Sequence, residues 1–303
     1  ITEHGDYYLR ITSYLFVVFL IYLAVTIGSP QSLFEKSNEF TRVSRVWGFS
    51  SANPIFLSRY LGFGIISLLF FLFTKLYMKN KSAIVSGIFI VVPIIIAILY
   101  MILTNSRGPV VSLLVAVILI PFFVSKVIIH SYSRYVKPFV IIVSFVSIIM
   151  MFVISQYSLE FVIRRITVDD SIYSRFEHIA LAIEGINEYT FIFGAGTGNY
   201  GFIFTGADIR AYPHNMFFEI FYENGFLGFS LISYFIFRRL KSLYRKANLF
   251  QSYLLTCLVY YIVNAQFSGD LISNKYVFVF LILSSVSTID RKNTNRINNM
   301  QHA

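Results

Sequence analysis

Apolar runs of about 18 residues or more recur along the whole chain, each long enough to cross roughly 30 Å of hydrocarbon. No other feature limits the possible folds so sharply. Of the 303 residues, 56% are hydrophobic and only 13% are charged, and mean hydropathy is +0.69. A water-facing helix needs a polar face, and most of these segments have none. The pattern predicts an all-α, polytopic transmembrane helical bundle with eight spans: Ile11–Gly28, Pro54–Thr74, Ala83–Leu103, Pro109–Ile129, Val136–Ser155, His214–Phe237, Phe250–Phe267 and Leu271–Ile289. With neither an internal repeat nor a linker, residues 1–303 read as a single membrane domain. Cys257 is the one cysteine, which excludes an internal disulfide and a thiolate metal cluster.

The formal net charge of +10 invites a nucleic-acid reading, but the distribution of charge argues against it. With the amino terminus in the cytoplasm and the spans alternating, cytoplasmic segments collect Arg10, Lys75, Lys79, Lys81, Lys126, Arg134, Lys137, Arg291, Lys292, Arg296 and the basic run "FRRLKSLYRK". Their acids are Glu3, Asp6 and Asp290. That asymmetry is an orientation signal. Two segments then face outward, about 29–53 and a large external loop, about 156–213.

Within the large loop, "SRFEHIALAIEGINEY" puts Phe176, Ile179, Ala180, Ile183 and Ile186 on one helical face. Such a helix lies at the membrane surface or packs on the bundle. Arg175 and His178 share a side of it. The run "FGAGTGNYG" has too many glycines for a helix and reads as a tight loop. It fails as a nucleotide-binding fingerprint, since no strand is expected before it and no helix directly after it.

Ionisable groups carry the functional signal. In "LTNSRGPVV" a turn needs Asn105, Gly108 and Pro109 but not Arg107. Arg107 therefore either snorkels at the rim or clamps an anion. Arg164, Arg165 and Arg175 suit phosphate oxygens, or else form a solvated network with Glu160, Asp169, Asp170 and Glu177. In "RAYPHNMFFEIFYENGFLGF", Pro213 is expected to open a helix. His214 then sits in its first turn, where the dipole favours a neutral imidazole suited to general-base work. The alternative is a histidine satisfied at a loop–helix junction. Asn215 caps that helix or orients an acceptor. Glu219 and Glu223 lie four apart on one face, each paired with an arginine or protonated. A metal held by His178, His214 and acids lacks any recognisable ligand spacing.

Taken in order, "RVWGFSSANP" with Arg45, then "SRG", "SRF", "FGAGTGNY" and "YPHNMFFEIFYENGFLG" resemble the O-antigen ligase and polymerase superfamily, the Wzy and WaaL type of bacterial polysaccharide enzymes. The resemblance covers roughly residues 42–228. It implies a GT-C-like bundle in the bacterial inner membrane, acting on undecaprenyl-pyrophosphate-linked oligosaccharide with no cofactor and no metal. Arg107 and Arg175 would hold the pyrophosphate, and His214 would be the base toward an acceptor glycan. Arg45, Arg164, Arg165, His178, Asn215 and Glu219 are the candidate substrate contacts. Members usually have more than eight spans, so further amino-terminal helices are expected. Polymerase is the expected activity, with a chain-length regulator as a candidate partner; ligase is the alternative within the family. A transporter or flippase is the alternative outside it, disfavoured because the singled-out charges gather at one face and no halves match.

Overall fold

The computed structural model describes residues 3–26, 54–77, 83–104, 106–128, 177, 179–206, 212–245, 248–267 and 269–285. Among these there are helices and turns and no strand, so the all-α membrane architecture is observed. Among the described residues, four helices are long and apolar enough to cross a bilayer, over Tyr7–Thr26, Pro54–Lys75, Arg107–Val124 and Met216–Arg245. Shorter apolar helices cover Ile90–Leu103, Leu249–Asn264 and Lys275–Ser285. The remaining expected span, Val136–Ser155, lies outside the described residues.

The chain divides into two units. The first comprises residues 1–150 with 246–260, the second residues 151–245 with 261–303.

In the first unit, α1 (Glu3–Thr26), α3 (Ala83–Leu103) and α4 (Arg107–Ile128) each pack on α2 (Pro54–Tyr77). The sequence of α2, with "GIISLLFFLF" at its centre, is apolar all round, which is the signature of a helix enclosed by others. Leu61, Ile65, Ile66, Leu69 and Phe70 are accordingly fully buried. Two of its polar residues, Ser67 and Thr74, make hydrogen bonds rather than meeting hydrocarbon. Ser67 Oγ donates to Phe63 O at 3.0 Å and shares a 3.0 Å bond with Tyr253 Oη. Thr74 Oγ1 donates back to Phe70 O. The same unit contains Arg59, only 3% exposed and 5.8 Å from the Phe56 ring centre. An arginine enclosed within a span is a functional signal, and the apolar-run pattern passed over it.

One close approach in this unit depends on a missing side chain. A Cβ at Gly62 would run into the Tyr260 ring and hydroxyl. Without it, Tyr260 Oη reaches across to donate to Arg59 O at 3.1 Å.

In the second unit, α5 (179–184), α6 (Glu188–Phe193) and α7 (Tyr200–Thr205) precede α8 (Met216–Arg245). The last residues of α9 (Leu249–Asn264), turns at 265–267 and 271–274, and α10 (Lys275–Ser285) complete it. Tyr261 stacks on Tyr276 and Phe280 of α10, with ring centres 5.2 and 5.4 Å apart. Ala182, Tyr200 and Tyr222 form a small buried core, lined by Ile186, Ala195 and Phe218.

That core corrects the expected face of the loop helix. Ala180 is exposed, Ile183 is 55% exposed, and the fully buried residue is Ala182. The residues turned inward are Ala182 and, just past the helix, Ile186, because the partner is the compact Tyr200–Tyr222 pair, which admits an alanine. Phe176 lies outside the described residues.

Replacing Gly62 by alanine should push Tyr260 off Arg59 O and destabilise the first unit by about 1–3 kcal/mol, the usual cost of overpacking. Tyr260→Phe should cost only about 0.5–1.5 kcal/mol, one hydrogen bond. Thermal unfolding of the detergent-solubilised protein measures both.

Candidate functional site

The helix carrying the histidine begins later than expected. Asn215 lies just ahead of α8, and its Oδ1 accepts the N–H groups of Phe217 at 3.0 Å and Phe218 at 3.1 Å. Those are two of the donors that a helix start leaves open. The α-helix starts at Met216, so Pro213 does not open it and His214 is not in its first turn. His214 instead stands before the cap with φ 57°. This left-handed conformation is uncommon for a side-chain-bearing residue and tends to accompany functional sites. Its ring sits edge-on to Tyr212, with ring centres 4.7 Å apart.

The cap is itself held. Asn215 Nδ2 donates to Gln266 Oε1 at 3.2 Å, and Gln266 Nε2 donates to Ile262 O. Met216 N–H donates to Ala265 O at 2.9 Å. One turn into α8, Glu219 Oε2 accepts the N–H of Leu271 at 2.8 Å. The turn that supplies these partners is ordered by Asp270. Its Oδ1 accepts the Ser273 N–H, and its carbonyl accepts both the backbone N–H and Nδ2 of Asn274. Glu219, Glu223 and Asp270 are all at least nine-tenths buried.

A second surprise lies further along α8. The span is broken at Gly225, which has φ 65° and ψ −172°, a conformation open essentially to glycine alone. The break frees the preceding carbonyls, and the glycine-rich loop satisfies them. Ala195 N–H donates to Tyr222 O at 2.9 Å, and Gly196 N–H donates to Glu223 O at 3.0 Å. The backbone N–H groups of Gly198 and Tyr200 donate to the Glu223 carboxylate. This contact is backbone on backbone: a Cβ on Gly194 would strike Glu223 O, and one on Gly225 would strike Ile192 O. An arginine or a proton was expected to make these carboxylates tolerable. Backbone N–H donors meet both of them here.

Two further points follow from the loop. A six-residue helix, α7, directly follows "GAGTGN", contrary to expectation. The element before the run is nevertheless the helix α6, not a strand, so the dinucleotide fingerprint still fails. Burial, with smaller contributions from Tyr222 and Glu219, pushes the Tyr200 phenol above its ordinary range. It therefore remains an O–H group at physiological pH.

Among the arginines, Arg107 is described, in the first unit. It is exposed at the first position of α4. The residue before it, Ser106, is nearly buried and donates its Oγ to Thr104 O. An exposed guanidinium at a helix start sits beside open N–H groups, a combination that favours an anion. Arg45, Arg164, Arg165, Arg175 and His178 lie outside the described residues, as does Asn105. The structure thus brings His214, Asn215 and Glu219 together with Gln266, Asp270 and Leu271. Among the described residues there is no cluster of His, Cys, Asp or Glu able to hold a metal.

The model of the O-antigen ligase family matches residues 92–233. That match supports the O-antigen ligase and polymerase superfamily that the motifs resemble. No curated protein and no solved structure matches it. The O-antigen ligase match contains Arg107, the glycine-rich loop, His214, Asn215, the two glutamates and Gly225. Gln266 and Asp270, which hold the cap, lie beyond it. The superfamily comprises membrane enzymes of glycosyl transfer, acting on lipid-linked oligosaccharide and an acceptor glycan.

Asn215→Ala should lower stability by about 0.5–2 kcal/mol through loss of the cap, and Asn215→Asp should retain most of it. Thermal unfolding in detergent reads this difference.

Proposed function

We propose that this chain is an O-antigen or capsular polysaccharide polymerase, transferring glycan from undecaprenyl pyrophosphate to a sugar hydroxyl at the external face of the bacterial inner membrane. The observation that carries the reading is the O-antigen ligase family match, which contains Arg107, Arg175 and His214 in one segment. In this reading Arg107 and Arg175 bind the diphosphate through paired guanidinium hydrogen bonds. The bond between the anomeric carbon and the phosphate oxygen breaks, and the undecaprenyl pyrophosphate leaves with the electron pair. Preplaced guanidinium groups stabilise the charge that grows on it. His214 accepts the proton of the acceptor hydroxyl, whose oxygen forms the new glycosidic bond with inversion. The energy comes from the phosphosugar bond, so the step needs no nucleotide. Arg45, Arg164, Arg165, His178, Asn215 and Glu219 are assigned to substrate positioning. A separate chain-length regulator belongs with this reading as a partner.

The family's own description, O-antigen ligase, favours a second reading, in which the acceptor is lipid A core instead of another lipid-linked repeat. The two share every step except the identity of the attacking hydroxyl.

His214→Ala should reduce transfer by about 10²–10⁴-fold, the contribution of a positioned base. Arg107→Lys keeps the charge, loses the fork and should abolish long chains too. Glycan profiles of a strain lacking the gene, complemented with each variant, test this while membrane insertion is followed in parallel. A polymerase loses long chains and leaves single capped units; a ligase leaves no glycan on the lipid A core. Wild-type profiles with His214→Ala would remove the base.

A further inference from the structure

The segment around α6 carries an amount of exposed apolar surface that its setting does not explain by packing. In "NEYTFIF", none of the helix residues is buried. Tyr189 is 69% exposed, Phe193 56% and Ile192 44%, and they are joined by Leu181, Ile183 and Phe202 from the flanking helices. Moving one such side chain out of water is worth about 1.5–3 kcal/mol, so Tyr189, Ile192 and Phe193, which share one side of α6, have a strong preference for an apolar medium. The helix is also two-sided. Tyr189 and Phe193, one turn apart, pack ring on ring at 5.1 Å. Its polar groups gather at the start, where Asn187 and Thr190 form a reciprocal capping box and Glu188 is exposed.

The neighbouring span indicates what covers this face. Phe191 of α6 stacks flat on Phe226 of α8, with ring centres 6.1 Å apart and planes 6° from parallel. Its edge contacts Phe221 at 5.6 Å. Phe226 begins a row of exposed apolar residues along the spanning helix, followed by Leu227, Leu231, Tyr234 and Phe235. A span exposes such a row to acyl chains, and the Phe191–Phe226 stack joins α6 to the start of it. Tyrosine is enriched at the boundary between headgroups and hydrocarbon, and phenylalanine is common on the buried face of helices lying there.

We propose that α6, with its neighbours Leu181, Ile183 and Phe202, is a lipid-seated anchor lying in the headgroup–acyl boundary of the bilayer. The occupant of the face is bilayer lipid. The consequence is mechanical. The glycine-rich loop starts at Gly194, the residue after α6, so an anchor here holds that loop, and the helix break it satisfies, at a fixed depth.

Site-directed spin labelling of the full-length protein in phosphatidylethanolamine–phosphatidylglycerol vesicles tests this. Labels are attached at cysteines replacing Tyr189, Ile192, Phe193 and, as the polar control, Glu188; Cys257 is buried and is changed to serine. Lipid seating predicts that collisions with oxygen exceed those with a water-soluble nickel chelate several-fold at the three apolar positions and not at Glu188. A label at Phe202 reads the same face if a change in α6 disturbs the helix. Equal access of the nickel chelate at all positions would overturn the proposal in favour of a water-facing loop. Low access to both reagents, with dipolar broadening between labels, would overturn it in favour of a second copy covering the face.

Discussion

A backbone carbonyl in an apolar medium must find a donor, and the arrangement of the second unit follows from how this chain meets that demand at Gly225. The glycine turns the helix out of its normal path, which leaves carbonyls without their helical partners in a span. Irregular backbone at such a place survives only where protein encloses it. The enclosing protein is the run Gly194–Tyr200, whose N–H groups turn toward Tyr222 O, Glu223 O and the Glu223 carboxylate. Glycines at both contact points let two main chains meet. The carboxylate that looked like a liability in a greasy helix is thus one of the groups that fastens the loop.

The opposite end of the half-helix is fastened by different means. Asn215 closes the open N–H groups, Gln266 fixes the orientation of Asn215, and the Asp270 turn presents Leu271 to Glu219. With both ends held, the residue immediately outside the cap, His214, is kept in a left-handed conformation beside Tyr212. A side chain on such a junction is positioned by its neighbours' hydrogen bonds rather than by its own helix. That is the kind of precision a proton-transferring group requires.

Span positions were legible because hydrocarbon imposes a length and a composition; Ala83–Leu103 could be read to the residue. The membrane class and the superfamily followed from runs and short motifs that do not depend on packing. The break at Gly225 was not seen, since hydropathy continues across it and is blind to φ. The Asn224–Gly225 pair was nonetheless a turn signal available in the sequence. The start of α8 was misplaced because proline before a helix was weighed above asparagine as a cap. Periodicity pointed to an amphipathic helix around residues 179–184 but not to which stripe faces inward, which depended on the Tyr200–Tyr222 pair. Gln266 was missed because it falls at the end of an expected apolar span, Asp270 because it lies between spans in a stretch with no motif, and Arg59 because one charge does not interrupt a long apolar run.

The central claim is the clasp between the glycine-rich loop and the broken helix, and backbone hydrogen exchange reads it most directly. Peptides covering residues 194–200 of the reconstituted protein should exchange slowly at Ala195, Gly196, Gly198 and Tyr200, although Gly196 and Gly198 lie on the surface. Glu223→Ala should speed exchange at Gly198 and Tyr200 more than at Ala195. Exchange across 194–200 as fast as in an open loop would contradict the account.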